Sequence, residues 1–156
     1  MKNDIGEFDA LLKEQPDITN SLREEYGRTL LMYGAMRGDT QIVSLLSKRD
    51  HDLSVVDVIG ENALRWIVVH DDDDTLKLLK SLDATQLSSD VINKPTHKYN
   101  DTPLHVAAKW NHHKSIVWLL EHGSDPLLKN NHGERPDEHG FRCDDKTKKI
   151  IRYFAR

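Results

Sequence analysis

One pattern returns along this chain at nearly fixed spacing, and no other feature restricts the fold as much. It runs as GRTLLMYGAMRGDTQIVSLL from Gly27 to Leu46 and as GENALRWIVVHDDDDTLKLL from Gly60 to Leu79. It returns as NDTPLHVAAKWNHHKSIVWLL from Asn100 and as GERPDEHGFRCDDKTKKIIRYF from Gly133, so the starts lie 33, 40 and 33 residues apart. In the first three copies Thr29, Asn62 and Thr102 stand where a helix opens, and Leu31, Leu64 and Leu104 follow two residues later. The pairs Leu45-Leu46, Leu78-Leu79 and Trp118-Leu119 come fourteen and fifteen residues beyond those leucines. Each copy therefore holds two short helices with apolar faces around a turn at Gly38-Asp39, Asp71-Asp72 or Asn111-His112. Such a unit cannot bury its apolar face alone; stacked copies bury it against one another, which is the logic of a solenoid. The expected fold is all-α.

The conserved offsets have local physical reasons. Thr102 is suited to cap a helix and Pro103 to occupy its first position, where a missing N–H costs nothing. Ala107 and Ala108, like Gly34 and Ala35, are small enough for neighbouring helices to approach, whereas Ile67 and Val68 in the second copy require wider spacing or a compensating neighbour. Gly123 suits a left-handed helix end, and Gly27 and Gly60 suit tight turns between units. With Thr102, Pro103, Leu104, His105 and Ala107 in place, the third copy resembles the ankyrin-repeat family, whose signature is T-P-L-H-x-A over about 33 residues. Gly123, Ser124 and Asp125 stand in place of that family's G-A-D. The resemblance extends from about residue 5 to residue 154 and fades in the fourth copy.

The resemblance implies an ankyrin solenoid of helix-turn-helix units joined by short hairpin-like loops. The expected division is an N-terminal cap at 1–26, units at 27–59, 60–99 and 100–132, and a C-terminal cap at 133–156. In the N-terminal cap Phe8, Leu11 and Leu12 share one helical face before the chain breaks at Pro16. In the fourth copy Asp137 takes the leucine position, so its first helix is expected to form poorly, while Ile150, Ile151, Tyr153 and Phe154 face the stack. Seven extra residues lie within SLDATQLSSDVINKPTHKY and are expected to be surface slack, since loops lengthen cheaply.

Composition excludes several classes. Net charge is −4, so no global basic field draws the chain to nucleic acid or anionic lipid. The basic stretch KTKKIIRYFAR is confined to one terminal helix, where cations also suit the helix dipole; nucleic-acid binding is disfavoured. The single cysteine, Cys143, leaves no internal disulfide and fits a reducing, cytoplasmic setting, or a host cell's interior for an exported effector. Acidic residues interrupt the N-terminal segment where a signal peptide would be apolar, and no apolar run approaches a membrane span.

Histidine is the anomaly: seven of nine lie between His97 and His139. His139 and Cys143, spaced four apart, suggest a metal pair and, as a minor alternative, a metal-dependent hydrolase. A zinc site needs three or four converging ligands, and no second pair has that spacing, so neither metal, cofactor nor catalytic residues are assigned. His105 is implied by the resemblance to tie loops together. The acidic run His70–Thr75 lacks the alternating ligands of a calcium loop and reads as a solvated turn.

Partners of the family commonly bind the concave side, at the inter-unit tips and the exposed side of each first helix. Carried over, those positions are the tips Tyr26, Ile59 and Tyr99, and the first-helix ends Met36, Arg37, Val69, His70, Lys109 and Trp110. Tyr, Trp, Met and Arg are enriched at interfaces. The chain runs from Met1 with little besides repeats and caps, so a standalone, monomeric binder of another protein is expected: an inhibitor, mimic or effector, or an immunity protein neutralising a toxin.

Overall fold

The computed structural model describes residues 2–21, 23, 25–49, 52–70, 73–82, 84–139 and 143–156. Its helices are α1 (Lys2–Glu14), α2 (Ile18–Ser21), α3 (Leu30–Met36), α4 (Thr40–Ser47) and α5 (Ala63–Ile67), followed by α6 (Asp73–Ser81), α7 (Ser89–Ile92), α8 (Pro103–Lys109), α9 (His113–Glu121) and α10 (Asp145–Phe154). Single 3-10 turns occupy Ala84–Gln86 and Pro136–Glu138, and no strand occurs among the described residues.

Two layers result. The first helices of successive pairs pack in the order α3, α5, α8, and the second helices in the order α1, α4, α6, α9, α10. The core runs between the layers as one continuous cluster, with Leu31, Val43, Leu64, Leu79, Leu104, Ile116, Leu119 and Ile151 buried along it. Each repeated leucine thus sits where a first helix meets its own partner and the next unit. Gly34 suits that approach: a Cβ there would stand 3.0 Å from the Ile42 side chain, which would have to yield by a few tenths of an ångström.

Capping starts the helices at the repeated polar positions. Thr29 Oγ1 accepts from the Met32 N–H at 3.2 Å, and Asn62 Oδ1 from the Arg65 N–H at 3.0 Å. Asp39 Oδ1 accepts from the N–H groups of Gln41 and Ile42, starting α4. These bonds satisfy donors that the first turn leaves unpaired. Gly38 (φ +67°) and Asn111 (φ +58°) make the turns within the first and third pairs; the expected turn at Asp71-Asp72 lies outside the described residues.

The tips between units are linked rung to rung. The N–H of Val58 donates to the carbonyl of Tyr26 at 3.0 Å, that of His97 to Ile59 at 3.1 Å, and that of Asn131 to Tyr99 at 2.9 Å. Within each tip a side chain closes the turn. Asp57 Oδ1 accepts from the N–H groups of Ile59 and Glu61, and Asn130 Oδ1 accepts from those of His132 and Glu134. Backbone rungs explain why the tips recur at fixed register whatever side chain they carry.

Three expectations are corrected. The lengthened segment is not slack: α7 buries Val91 and Ile92, and Asn62 Nδ2 donates to the Val91 carbonyl at 2.9 Å. Asn93 then binds the loop after α9, its Oδ1 accepting from the Asp125 N–H at 2.8 Å. The extra residues have room to coil into a helical turn, and its apolar face was drawn inward. Tyr153 and Phe154 do not join the stack; both are exposed and meet each other edge-to-face at 5.6 Å. Ile151 and Thr147 are the buried side chains of α10, with Ile150 partly buried beside them. At the other end Leu12 is buried and Phe8 half-buried, but Leu11 is exposed on α1, which packs on α4 at the N-terminal end of the second-helix layer. Arg49 at the end of α4 holds that helix by pairing with the Asp9 carboxylate.

Among the described residues, the first helix of the fourth copy is represented by the 3-10 turn Pro136–Glu138. Asp137 is buried at the leucine position, and Arg152 of α10 reaches it at 2.8 Å, with Arg135 3.5 Å away. An ion pair thus replaces the apolar contact.

Candidate protein-binding surface

The tips and the first helices share one exposed side. Tyr26, Ile59 and Tyr99 are 51%, 45% and 47% exposed, and Trp110 is 49% exposed. Val58, beside Ile59, is also exposed. Arg37 and Lys109 are exposed, whereas Met36, Val69 and His70 are half-buried. His70 packs over the Gly38 turn, its ring within 4.0 Å of where a Cβ on that glycine would stand.

Four of the nine sequence-predicted positions converge. Ile59, Tyr99, Lys109 and Trp110 line a cavity of 210 Å³ between the second and third tips and the helices α5 and α8. Tyr26, Met36, Arg37, Val69 and His70 do not line it. Glu61, Arg65, Thr96, Lys98, Asp101 and Val106 complete its lining. Glu61 Oε1 lies 2.9 Å from Arg65 Nε, but the N–H is not aligned, and both Glu61 Oε2 and Arg65 Nε are buried without a hydrogen bond. Burial holds the Glu61 carboxyl above the usual carboxylate range and the Arg65 guanidinium below its own.

Sequence reasoning missed a second row. Tyr33 is exposed, and Trp66 lies at the same offset, two residues after the repeated leucine. Cations cover these rings: Arg37 lies 5.8 Å from Tyr33, and Arg28 and Arg65 lie 4.9 Å and 5.1 Å from Trp66. Arg28 also lies 5.0 Å from Tyr26, and Lys98 lies 4.9 Å from Tyr99. Cation–π contact of this kind orients arginine and lysine over aromatic faces. The column Tyr33, Trp66, Val106 was available as a signal in the repeat alignment.

Five of the histidines are tied into the fold. His105 is fully buried; its Nδ1 accepts from the Thr102 N–H at 3.2 Å, and its Nε2 donates to the Glu134 carbonyl at 3.0 Å. Burial pushes its pKa below the usual histidine range. His112 and His113 diverge, Nδ1 of the first meeting the Val68 carbonyl at 2.9 Å and Nε2 of the second reaching Asp144 at 3.2 Å. His122 stacks on Trp118 at 4.0 Å. His139 is buried edge-on to His105, with Nδ1 3.2 Å from Glu134 Oε2. Cys143 is buried, and burial pushes its thiol up to about 11, so it is protonated at neutral pH. Among the described residues no three His, Cys, Asp or Glu side chains converge on a metal-sized site.

A two-layer stack of short helix pairs, tied by tips that present one continuous side, defines a helical repeat scaffold. A family model describing ankyrin repeats (3 copies) matches residues 51–130, and the chain belongs to the ankyrin-repeat family. Repeats of this family mediate binding to other proteins and are typically non-enzymatic. No curated protein matches the chain. Among the described residues no helix is long and apolar enough to cross a membrane.

Proposed function

We propose that this protein binds another protein through the side formed by its tips and first helices, and acts by covering the partner's surface. The observation that carries this reading is the register of exposed Tyr26, Ile59 and Tyr99 along the tips, with Trp110 beside the last two. Their backbones are fixed by the rungs, so exposed aromatic area is presented at little entropic cost, which favours hot-spot behaviour. Met36, Arg37, Val69, His70 and Lys109 extend the same side. The N-terminal cap 1–26, the three units and the C-terminal cap 133–156 act as one scaffold, monomeric when free. The mode of action is blockade, as an inhibitor, mimic or effector, with toxin neutralisation a special case, in the cytoplasm or a host cell's interior.

The test is affinity capture with Tyr99→Ala plus Trp110→Ala against a Tyr153→Ala plus Phe154→Ala control, which also removes two exposed aromatic residues. Capture is expected to fail in the first variant and persist in the second. Equal capture by both, with folding intact, would remove the assignment.

A further inference from the structure

Around its second and third tips the binding side keeps its carboxylates inside and its cations outside. The acids there are Asp57, Glu61 and Asp101, which are 3%, 5% and 8% exposed. Each already has a structural task. Asp57 closes its tip through two backbone N–H groups and lies 3.4 Å from Arg28. Glu61 pairs with Arg65 at 2.9 Å, and Asp101 accepts from Asn130 Nδ2 at 2.9 Å. Buried carboxylates need such partners, because an unmet charge away from water is costly. Lys98 and Lys109 are instead exposed, and among the described residues neither is ion-paired. Arg37, at the end of α3, adds a further exposed cation to the same side, and the exposed acid Glu25 lies at the first tip, outside this stretch.

These cations share one concavity with apolar surface. Lys98 and Lys109 line the 210 Å³ cavity together with Ile59, Tyr99 and Trp110, and Lys98 Nζ stands 4.9 Å from the Tyr99 ring centre. A partner that covers the apolar walls therefore also covers two ammonium groups that no carboxylate of this chain neutralises. A basic partner brings like charge to them, and an uncharged one desolvates them without pairing; both are unfavourable. A nucleic acid brings anions, but its binders track the backbone with an extended basic groove, whereas here the positive stretch is local on a protein of net charge −4. Resting on the binding role proposed above, we propose that the surface around the second and third tips receives an acidic protein segment. Its carboxylates pair with Lys98 and Lys109 while an apolar side chain of the segment covers Ile59, Tyr99 and Trp110.

Labelled synthetic peptides titrated into the full chain by fluorescence anisotropy test this. The probes are a leucine flanked on both sides by Asp and Glu, the same peptide with Asn and Gln replacing the acids, and a single-stranded RNA oligomer. The acidic peptide is expected to saturate at one site, with the amide peptide about tenfold weaker for the loss of two ion pairs. Lys98→Gln plus Lys109→Gln is expected to weaken the acidic peptide by the same factor and to erase its advantage over the amide peptide. Lys146→Gln plus Lys149→Gln, exposed on the basic helix α10, is expected to leave binding unchanged. Equal affinity of the acidic and amide peptides, a loss that follows the α10 variant instead, or tighter binding of the RNA would overturn the proposal. If no peptide binds while partner capture still depends on Tyr99 and Trp110, the acidic segment falls and the binding surface stands; if capture is also indifferent to them, both fall.

Discussion

Tyr99 accepts the backbone N–H of Asn131 at 2.9 Å through its carbonyl while its side chain stands 47% exposed. One residue therefore serves as structure through its backbone and as surface through its ring. The Tyr26–Val58 and Ile59–His97 rungs repeat the arrangement, which separates what must stay constant along the stack from what is open to selection for a partner.

The lengthened segment is predicted to contribute to stability. Ile92 is fully buried in α7, and deleting such a side chain to alanine costs about 2–4 kcal/mol. Denaturant unfolding of Ile92→Ala should show that loss with an unchanged slope. A loss under 0.5 kcal/mol would return the segment to the status of a loop.

His105 makes stability depend on pH. Its folded pKa is lowered by burial, so the unfolded chain binds the proton more readily. Its stabilisation is complete above the unfolded value, about 6.5, and is lost as pH falls through the folded value. His105→Ala should cost about 3 kcal/mol at pH 7.5, since the Glu134 carbonyl and the Thr102 N–H lose a buried partner. Melting temperatures followed downward from pH 7.5 should fall less steeply in the variant than in the wild type.

Two glycines should differ. Gly60 (φ +82°) and Gly123 (φ +94°) both occupy the left-handed region, where a side chain costs about 1–2 kcal/mol. A Cβ at Gly60 would also collide with the His97 ring, whereas one at Gly123 meets nothing within 4 Å. Gly60→Ala should therefore lower the melting temperature further than Gly123→Ala.

Cys143 should resist modification in the folded protein. With its thiol pushed up to about 11 and its side chain buried, the nucleophilic thiolate is scarce at pH 8. Labelling by a thiol-reactive disulfide should be slow in buffer and rapid in denaturant.

Much of this fold was legible because its rules are local. The 33-residue spacing, the caps Thr29, Asn62 and Thr102, and the repeated leucines are properties of single helices and turns, and the structure places each where those rules put it. What was not legible depends on neighbours. Tyr153 and Phe154 carry core-type chemistry, yet they emerge past the last layer that would cover them. Ile92 lies in an insertion with no counterpart in the other units, so repetition gave no guide to its burial. At the proposed surface, Tyr99 and Trp110 followed from register. The Glu61–Arg65 pair did not, since the first offset reads Arg28, Glu61, Asp101 and Glu134 and the second Met32, Arg65, His105 and Glu138, so the pair occurs in one copy only.

The central claim is that partners cover the tips and first helices. Amide hydrogen exchange of the full chain with and without its captured partner tests it most directly. The account predicts added protection near Tyr26, Ile59, Tyr99 and Lys109–Trp110, with α4, α6 and α9 unchanged. Protection confined to those second helices would contradict it.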